Sequence, residues 1–514
     1  MTRRLAKNSA WGAAGFLGAT LILLFTTPIY VRLLGAERFG LFSLLVAITA
    51  PLGILNAGLA QATTKYVAQF GASQMWSNAA RMIETTMLFN FAWGLLGALL
   101  LWLGAPWIAT KLFQLSPDMF REAMWAFRLT GIIWLLSQIS GTYQAVITGL
   151  QDFRTLTSIQ FFQQLATYGL GSVVLLFIPR VWAVLVPQIV VGMFLIGLCF
   201  RFINKRIPEV RWSPHWDKES ARLSIGFSSW QVVDSVTATA ANQADRLVLG
   251  SFVDTAAVGY YSVAAAAQAR LVGFVWTLFA AVFPAISSLS ASSGQSERLI
   301  LNYGWKVSLF AGVLYSTAFV VGPEFLQIWL GNSVSVKAAP ILRVLMGVAL
   351  AGLPSAILAQ YLLGHGLTKW STLSSFFTSV LSLGLTWVFV KHFGVGGAAW
   401  GGLVGLILTR PLFHIWVFKK RFGSLFSASR CFWILYGVLV STCLGCWVAS
   451  IVHNSFREML GLYLGFAASV VVVPLIILAI SILLEGTLMG HRDNVKDLQS
   501  NLRRGWTLTV AKVT

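Results

Sequence analysis

Apolar runs of about 20 residues recur along this chain from Trp11 to Leu484 with only short polar breaks, the length that crosses roughly 30 Å of bilayer hydrocarbon as helix. Hydrophobic residues fill 57% of the 514 positions, charged ones 11%, and mean hydropathy is +0.75; soluble domains carry about 25% charge. The pattern predicts an all-α polytopic membrane protein of about 14 transmembrane helices, with no room for a folded soluble domain. The N-terminal run continues past Pro28 to about Leu34 without a small-x-small cleavage site, so a retained signal anchor is expected.

Lysine and arginine give the orientation independently. One set of alternate connections holds 24 basic residues, among them Arg3, Arg4, Lys65, Lys205, Arg206, Lys419, Lys420, Arg421 and the tail from Arg492 to Lys512. The other set holds eight: Arg32, Arg38, Lys111, Arg121, Arg180, Lys337, Lys391 and Arg457. Both termini are therefore predicted cytoplasmic, in a multi-pass plasma (inner) membrane protein. The formal charge of +20 reads as basic loops against an anionic leaflet rather than as a nucleic-acid surface. Trp305 and Trp370 are among the tryptophans near predicted span ends, where interfacial aromatics sit.

The chain also repeats itself at an offset of 215. Gly149, Arg154, Phe161, Phe162, Gly169, Lys205 and Arg206 fall on Gly364, Lys369, Phe376, Phe377, Gly384, Lys420 and Arg421. The implied unit is six helices used twice, and an even number returns the chain to the same side, so the repeats are parallel. This divides the chain into a lobe over 1–212, a second lobe over 213–425, two extra transmembrane helices over 426–484 and a basic cytoplasmic tail over 485–514. Transporters built from such pairs place substrate where the repeats meet.

Polar residues interrupt several spans, and in a bilayer each must face protein or water. On the seventh span, about 222–250, helical spacing sets Asp234, Gln231, Asn242 and Asp245 on one face. The second span offers Thr63, Thr64 and Lys65 near its inner end, the fourth Arg128, Gln138 and Gln144, and the fifth Gln160, Gln163 and Gln164. Arg270 lies thirteen residues into the eighth span, about 257–289, or roughly 20 Å along it. There a cation costs at least about 2.5 to 3.5 kcal/mol. It is either half of a buried ion pair with Asp234 or Asp245, or a cation facing an anionic substrate. Asp245-Arg246 sits near the outer end of its span, where a structural interfacial pair is also an ordinary reading. Arg128, Arg343 and Arg410 are placed within snorkelling reach of a surface. Glu324 follows Pro323 and is expected to face solvent. Gly397, Gly401 and Gly405 read as a ridge for close helix packing.

No enzyme signature and no cofactor site emerge. The chain lacks GxxxxGK[ST], its six histidines are scattered, and Cys443 with Cys446 has no further ligands at metal spacing.

Two stretches carry a family resemblance: "TTPIYVRLLGAERFGLFSLLVAITAPLGILNAGLAQATTKYVA" from Thr26 and "DRLVLGSFVDTAAVGYYSVAAAAQARLVGFVWTLFAAVFPAIS" from Asp245. The chain resembles the polysaccharide transporter family of the multidrug/oligosaccharidyl-lipid/polysaccharide (MOP) superfamily, the Wzx-type O-antigen flippases. The resemblance implies flipping of an undecaprenyl-diphosphate-linked oligosaccharide to the outer leaflet through a cationic cavity between two lobes. It puts the family's Asp-Arg pair on Asp245 and Arg246, while Arg270 rests on depth alone. Substrate contacts are expected at Arg270, Arg246, Lys65, Arg128 and Asn242, and coupling to H+ or Na+ at Asp234 and Asp245. Further partners implied are membrane lipids and the polymerase and chain-length proteins of a glycan export pathway. The alternative is a cation-coupled drug antiporter of the multidrug and toxic compound extrusion branch. It is disfavoured because so cationic an interior would repel cationic drugs.

Overall fold

A computed structural model describes residues 2–210, 215–224, 243–280, 293–364, 368–422 and 425–487, and among them no strand occurs. They fall into two compact units, Met1–Ser262 and Val263–Thr514.

The first unit opens with α1 (Thr2–Thr49), two helical limbs that meet at Gly35. Gly35 has φ 73° and ψ 170°, a conformation that costs a residue with a Cβ about a kilocalorie or more. Tyr30 and Phe42, from opposite limbs, bring their rings to 5.5 Å. After a 3-10 turn over Pro51–Gly53 comes α2 (Ile54–Ala72). Helices α3 (Trp76–Trp107) and α4 (Pro117–Gly149) pair antiparallel through small residues: a Cβ on Gly97 would lie 2.3 Å from the Trp134 indole nitrogen, and one on Gly131 would lie 2.9 Å from the Ala98 carbonyl. Then α5 (Phe153–Gln164), a π-helical turn (Leu165–Leu170) and α6 (Gly171–Phe177) follow one another directly, and α7 (Val181–Arg206) succeeds them. A helical stretch over 243–252 leads to α8 (Thr255–Ala280), inside which the division between the units falls.

The second unit holds the rest of α8, α9 (Ser293–Leu330), α10 (Asn332–Ala351), α11 (Leu353–Gly364), α12 (Thr368–Phe393), α13 (Val395–Phe422) and α14 (Leu425–Thr487). Its hairpins can be read from pairs of residues equidistant from a turn. On α13, Cβ atoms at Gly401 and Gly405 would come within 2.5 Å of the Thr386 backbone and 2.3 Å of the Ser382 hydroxyl on α12. The ridge expected from Gly397, Gly401 and Gly405 is thus the α12–α13 contact surface, packed closer than side chains would allow. In α14, Gly461 has φ 73° and ψ −172°, and the limbs fold back around it: His453 bonds Ser469 and Gly445 faces Ile477.

Eight stretches among the described residues are long and apolar enough to span a membrane. Two of them, Gly15–Gly53 and Tyr436–Leu484, contain the reversals at Gly35 and Gly461 and so hold two limbs each. Exposed Phe91, Leu95, Leu99 and Leu103 form a stripe on α3, as a face turned to lipid would. Trp305, expected at an interface, is only 1% exposed and packs with Leu309 and Val438. The repeat seen in the sequence recurs in the boundaries. Helices α4 and α10 start 215 residues apart, as do α5 and α12, and α4 and α11 end at Gly149 and Gly364.

Gly401→Ala is expected to lower the thermal unfolding temperature of the detergent-solubilised protein, at a cost of about 1–3 kcal/mol for overpacking. Gly384→Ala has open space within 4 Å of the new methyl and is expected to leave that temperature unchanged or slightly raised.

Candidate functional site

Close backbone contact organises the first unit around the Asp245-Arg246 pair. A Cβ on Gly40 would lie 1.6 Å from the Thr255 carbonyl oxygen, and one on Gly259 would lie 2.3 Å from that of Ala36. The second limb of α1 and the start of α8 therefore touch main chain to main chain, as only small residues allow. The Tyr261 hydroxyl donates to Asp245 Oδ2. Arg246 Nη1 donates to Gln243 Oε1 at 2.9 Å, and the guanidinium lies within electrostatic range of Tyr261, Asp245 and Tyr168. Its Nε is buried without a partner. The π-helical turn holds Tyr168 with its ring 5.9 Å from Tyr30, whose hydroxyl donates to the Thr167 carbonyl. Such turns re-aim side chains and often mark functional positions.

Arg270 is the sixteenth residue of α8 and is half-buried. At 100° per residue it shares a face with Gly259, Val263 and Ala266, whereas Tyr261 points the opposite way. Burial along that face declines steadily: Gly259 and Val263 are buried, Ala266 and Arg270 partly exposed, Phe274 37% exposed. One face of α8 is thus closed at its start and opens toward Arg270. Gln268 Nε2 donates to the Leu345 carbonyl at 3.3 Å, which fixes the helix about its axis there.

The remaining expected residues are dispersed. Lys65 is exposed, 5.0 Å from the ring centroid of Tyr66. Arg128 lies between the faces of Trp102 (5.5 Å) and Trp125 (5.4 Å), both exposed, with its Nε unpaired. This is an outer-belt arrangement. Asp234 and Asn242 lie outside the described residues. The polar residues of the fourth and fifth spans do converge: Gln144 Nε2 donates to Gln163 Oε1 (3.2 Å) and Ser140 Oγ (3.1 Å), Gln163 Nε2 donates to Ser140 Oγ (2.9 Å), and Thr64 Oγ1 donates to the Ala145 carbonyl (3.1 Å).

Two buried carboxylate clusters went unread in the sequence. Glu122 Oε2 accepts from Arg38 Nε and Arg180 Nη1, each at 3.0 Å, while its Oε1 accepts from the Val181 amide at 2.7 Å. That cluster ties together the turns near Gly35, Ser116 and Arg180, which the alternation of basic residues had put on one side. Glu324 is 2% exposed rather than solvated, because Arg457 Nη1 (3.0 Å) and His453 Nε2 (3.1 Å) close over it. Both carboxylates lie far in sequence from their partners, so no local signal announced them. Arg410 donates to Ser374 Oγ and Ser375 Oγ at 3.1 and 3.3 Å.

From residue 29 to residue 410 the chain matches the family described as "Polysaccharide biosynthesis protein". It belongs to that family. It is 23% identical to the "Putative O-antigen transporter" of Shigella flexneri over 426 residues, 81% of this chain and 98% of that protein. It is 22% identical to the "Uncharacterized membrane protein EpsK" of Bacillus subtilis over 420 residues, 79% of this chain and 81% of that one. Among solved structures it is similar to the lipid II flippase MurJ in its inward closed conformation, with TM-score 0.69 at 12% identity over 93% of this chain and 99% of that one. An inward-facing multidrug resistance MATE family transporter of the MOP superfamily gives TM-score 0.65 at 13% identity over 78% and 94%. At these identities the likeness establishes the fold, that of MOP transporters. The chain is thus a member of a polysaccharide biosynthesis family with that fold and with helices long and apolar enough to cross a membrane several times.

Glu122→Ala is expected to cost about 1–3 kcal/mol, chiefly from the buried Val181 amide left without an acceptor. Arg38 and Arg180, with side chains 34% and 49% exposed, recover water. Glu122→Gln, which keeps an oxygen for that amide, is expected to lose less; thermal unfolding of the two variants in detergent checks the order.

Proposed function

We propose that this protein flips an undecaprenyl-diphosphate-linked oligosaccharide from the cytoplasmic to the outer leaflet of the inner membrane by alternating access, in O-antigen or exopolysaccharide biosynthesis. The observation that carries this reading is an imbalance of partners. Arg128, Arg246 and Arg410 each keep a buried Nε donor unpaired among the described residues, whereas Asp245 and Glu122 accept hydrogen bonds from Tyr261 and from two arginines. Arginine donors left over in this way suit an anionic cargo. A cation-coupled drug antiporter is disfavoured because these arginines would repel a cationic drug. The family membership and the name of the Shigella flexneri relative support the same direction.

In this mechanism the diphosphate is the difficult part, since an unpaired anion is strongly disfavoured in hydrocarbon. Arg270 supplies a fixed cation on a face of α8 that is partly open, while Lys65 and Arg246 receive or release the headgroup nearer the two surfaces, with Arg128 and Asn242 as further contacts. Asp234 and Asp245 are the positions for H+ or Na+ coupling. A wet cavity with one or two cations suits transport better than a dry clamp, because too strong a hold would trap the substrate. The six-helix repeats over 1–212 and 213–425, with the extra helices over 426–484 and both termini cytoplasmic, are part of this proposal. So are membrane lipids and the polymerase and chain-length partners.

Arg270→Ala is expected to abolish glycan export in a strain lacking its own flippase while protein abundance stays normal. Arg270→Lys is expected to keep part of it, because charge survives and bidentate phosphate geometry does not. Loss of folded protein in Arg270→Ala, rescued by adding Asp234→Ala, would identify a structural ion pair instead. Orientation has its own check: a reporter active only outside the cytoplasm should be active after Lys391 and silent after Arg206 or Lys420, and activity after Arg206 would reverse the direction of transport.

A further inference from the structure

On α4, Ser137, Gly141, Gln144 and Thr148 fall within about 60° of one another at 100° per residue, and all four are at least partly exposed. In a membrane a face made of small and neutral polar residues turns to protein or water rather than to lipid. Two glutamines of α5 meet it. Gln144 Nε2 donates to Gln163 Oε1 at 3.2 Å and to Ser140 Oγ at 3.1 Å, Gln163 Nε2 donates to the same hydroxyl at 2.9 Å, and the exposed Gln160 donates to Gln144 Oε1 at 3.4 Å. Each amide is held by its neighbours, so its remaining donors and acceptors are presented from fixed positions. Gln164, on the same side of α5 as Gln160, keeps a buried Oε1 with no partner. Thr64 donates to the Ala145 carbonyl at 3.1 Å, which brings Lys65 of α2 to the edge of the cluster.

The repeat separates this cluster from an ordinary packing contact. At the offset of 215, Ser140, Gln160, Gln163 and Gln164 fall on Ser355, Ser375, Thr378 and Ser379. In the second unit Thr378 and Ser379 are 7% and 8% exposed, and the Thr378 hydroxyl bonds that of Thr409 at 2.9 Å. Short hydroxyls, closed off from solvent, are enough at these positions there. In the first unit the same positions carry longer amides that are partly or fully exposed. A glutamine side chain costs more entropy to fix than a short hydroxyl, so its length serves something beyond packing.

An amide carries donor and acceptor side by side without net charge, which matches the hydroxyl and acetamido groups of an uncharged sugar. An acidic sugar would need a cation among these side chains, and Gln144, Gln160, Gln163 and Ser140 supply none. Lys65, at the edge, is the residue already assigned to receive the diphosphate. We propose that Gln144, Gln160 and Gln163 bind the first sugar of the carrier-linked glycan while its diphosphate meets Lys65, and that this sugar is uncharged. This rests on the flippase reading above and adds to it a contact for the glycan and a chemical class for its first residue.

The test uses the full-length protein in lipid nanodiscs, titrated with fluorescently labelled undecaprenyl diphosphate carrying N-acetylglucosamine, carrying glucuronic acid or carrying no sugar. The wild type is expected to bind the N-acetylglucosamine form roughly 10-fold more tightly than the bare carrier, and the glucuronate form no more tightly than the bare carrier. Gln163→Leu and Gln160→Leu are each expected to cut that advantage roughly 2- to 10-fold, the worth of a neutral hydrogen bond, with affinity for the bare carrier unchanged. Gln160→Lys is expected to move the preference toward the glucuronate form, a gain that loss of structure would not produce. Gln160 is exposed and its bond is long, so should Gln163→Leu fail to fold, the two Gln160 variants decide. Equal wild-type binding of the bare and N-acetylglucosamine forms overturns the proposal, as does tighter wild-type binding of the glucuronate form or an advantage that survives the substitutions. If the advantage follows Gln160 and Gln163 but the wild type exports no carrier-linked glycan, the flippase reading fails and the sugar site stands. If export is intact and the advantage ignores both positions, the sugar site alone fails.

Discussion

Everything in this fold follows from the cost of leaving a polar group unpaired where water is absent. Backbone groups are satisfied inside helices, so the described chain is helix joined by short turns, without strand. Helices in lipid gain little from hiding apolar surface from one another, so they must be held by close packing and interhelical hydrogen bonds. That is why close contacts are made by glycines such as Gly40, Gly97, Gly259 and Gly401, each where an added Cβ would meet a neighbour at 2.5 Å or less. It is also why hydroxyl and amide side chains such as Asn90 and Thr142, bonded at 2.7 Å, join helices.

The same rule divides the charged groups into two kinds. Glu122 and Glu324 are sealed, each between two basic groups, and tie turns and helix ends together. Breaking one would leave a buried group stranded, which is where their structural weight lies, whereas the pair itself contributes little net stability. The second kind is the arginines whose described hydrogen bonds and ring contacts are to neutral groups: Arg128 between two indoles, Arg246 on Gln243 with Asp245 in electrostatic range, Arg410 on two serines. These positions are satisfied enough to fold and left with donors to spare.

The sequence announced what is periodic and local. Span length, the 215-residue register and the ridge of Gly397, Gly401 and Gly405 all reappear in helix boundaries and contacts, because each is a property of one segment or of two copies of it. The family could be read from the stretches at Thr26 and Asp245. What was illegible depends on residues remote in sequence. Glu324 looked solvated because Pro323 precedes it, and only the fold brings Arg457 and His453 over it, from the hairpin around Gly461. Arg410 lies near the end of the apolar span Val395–Trp416, but its bonds to Ser374 and Ser375 on the preceding helix had no local signal. Tyr261 was invisible as a partner of Asp245 until Gly40 and Gly259 had been seen to draw their helices together.

That last contact is made without side chains. Where Gly259 faces Ala36 the two backbones leave no space for a side chain, so the contact has no rotamers by which to relax. Eleven residues further along the same face, Arg270 sits where burial has already fallen away. Separating Gly40 from Thr255 and Gly259 would free only small residues and carbonyl oxygens, so the contact depends on the absence of side chains rather than on their interlocking.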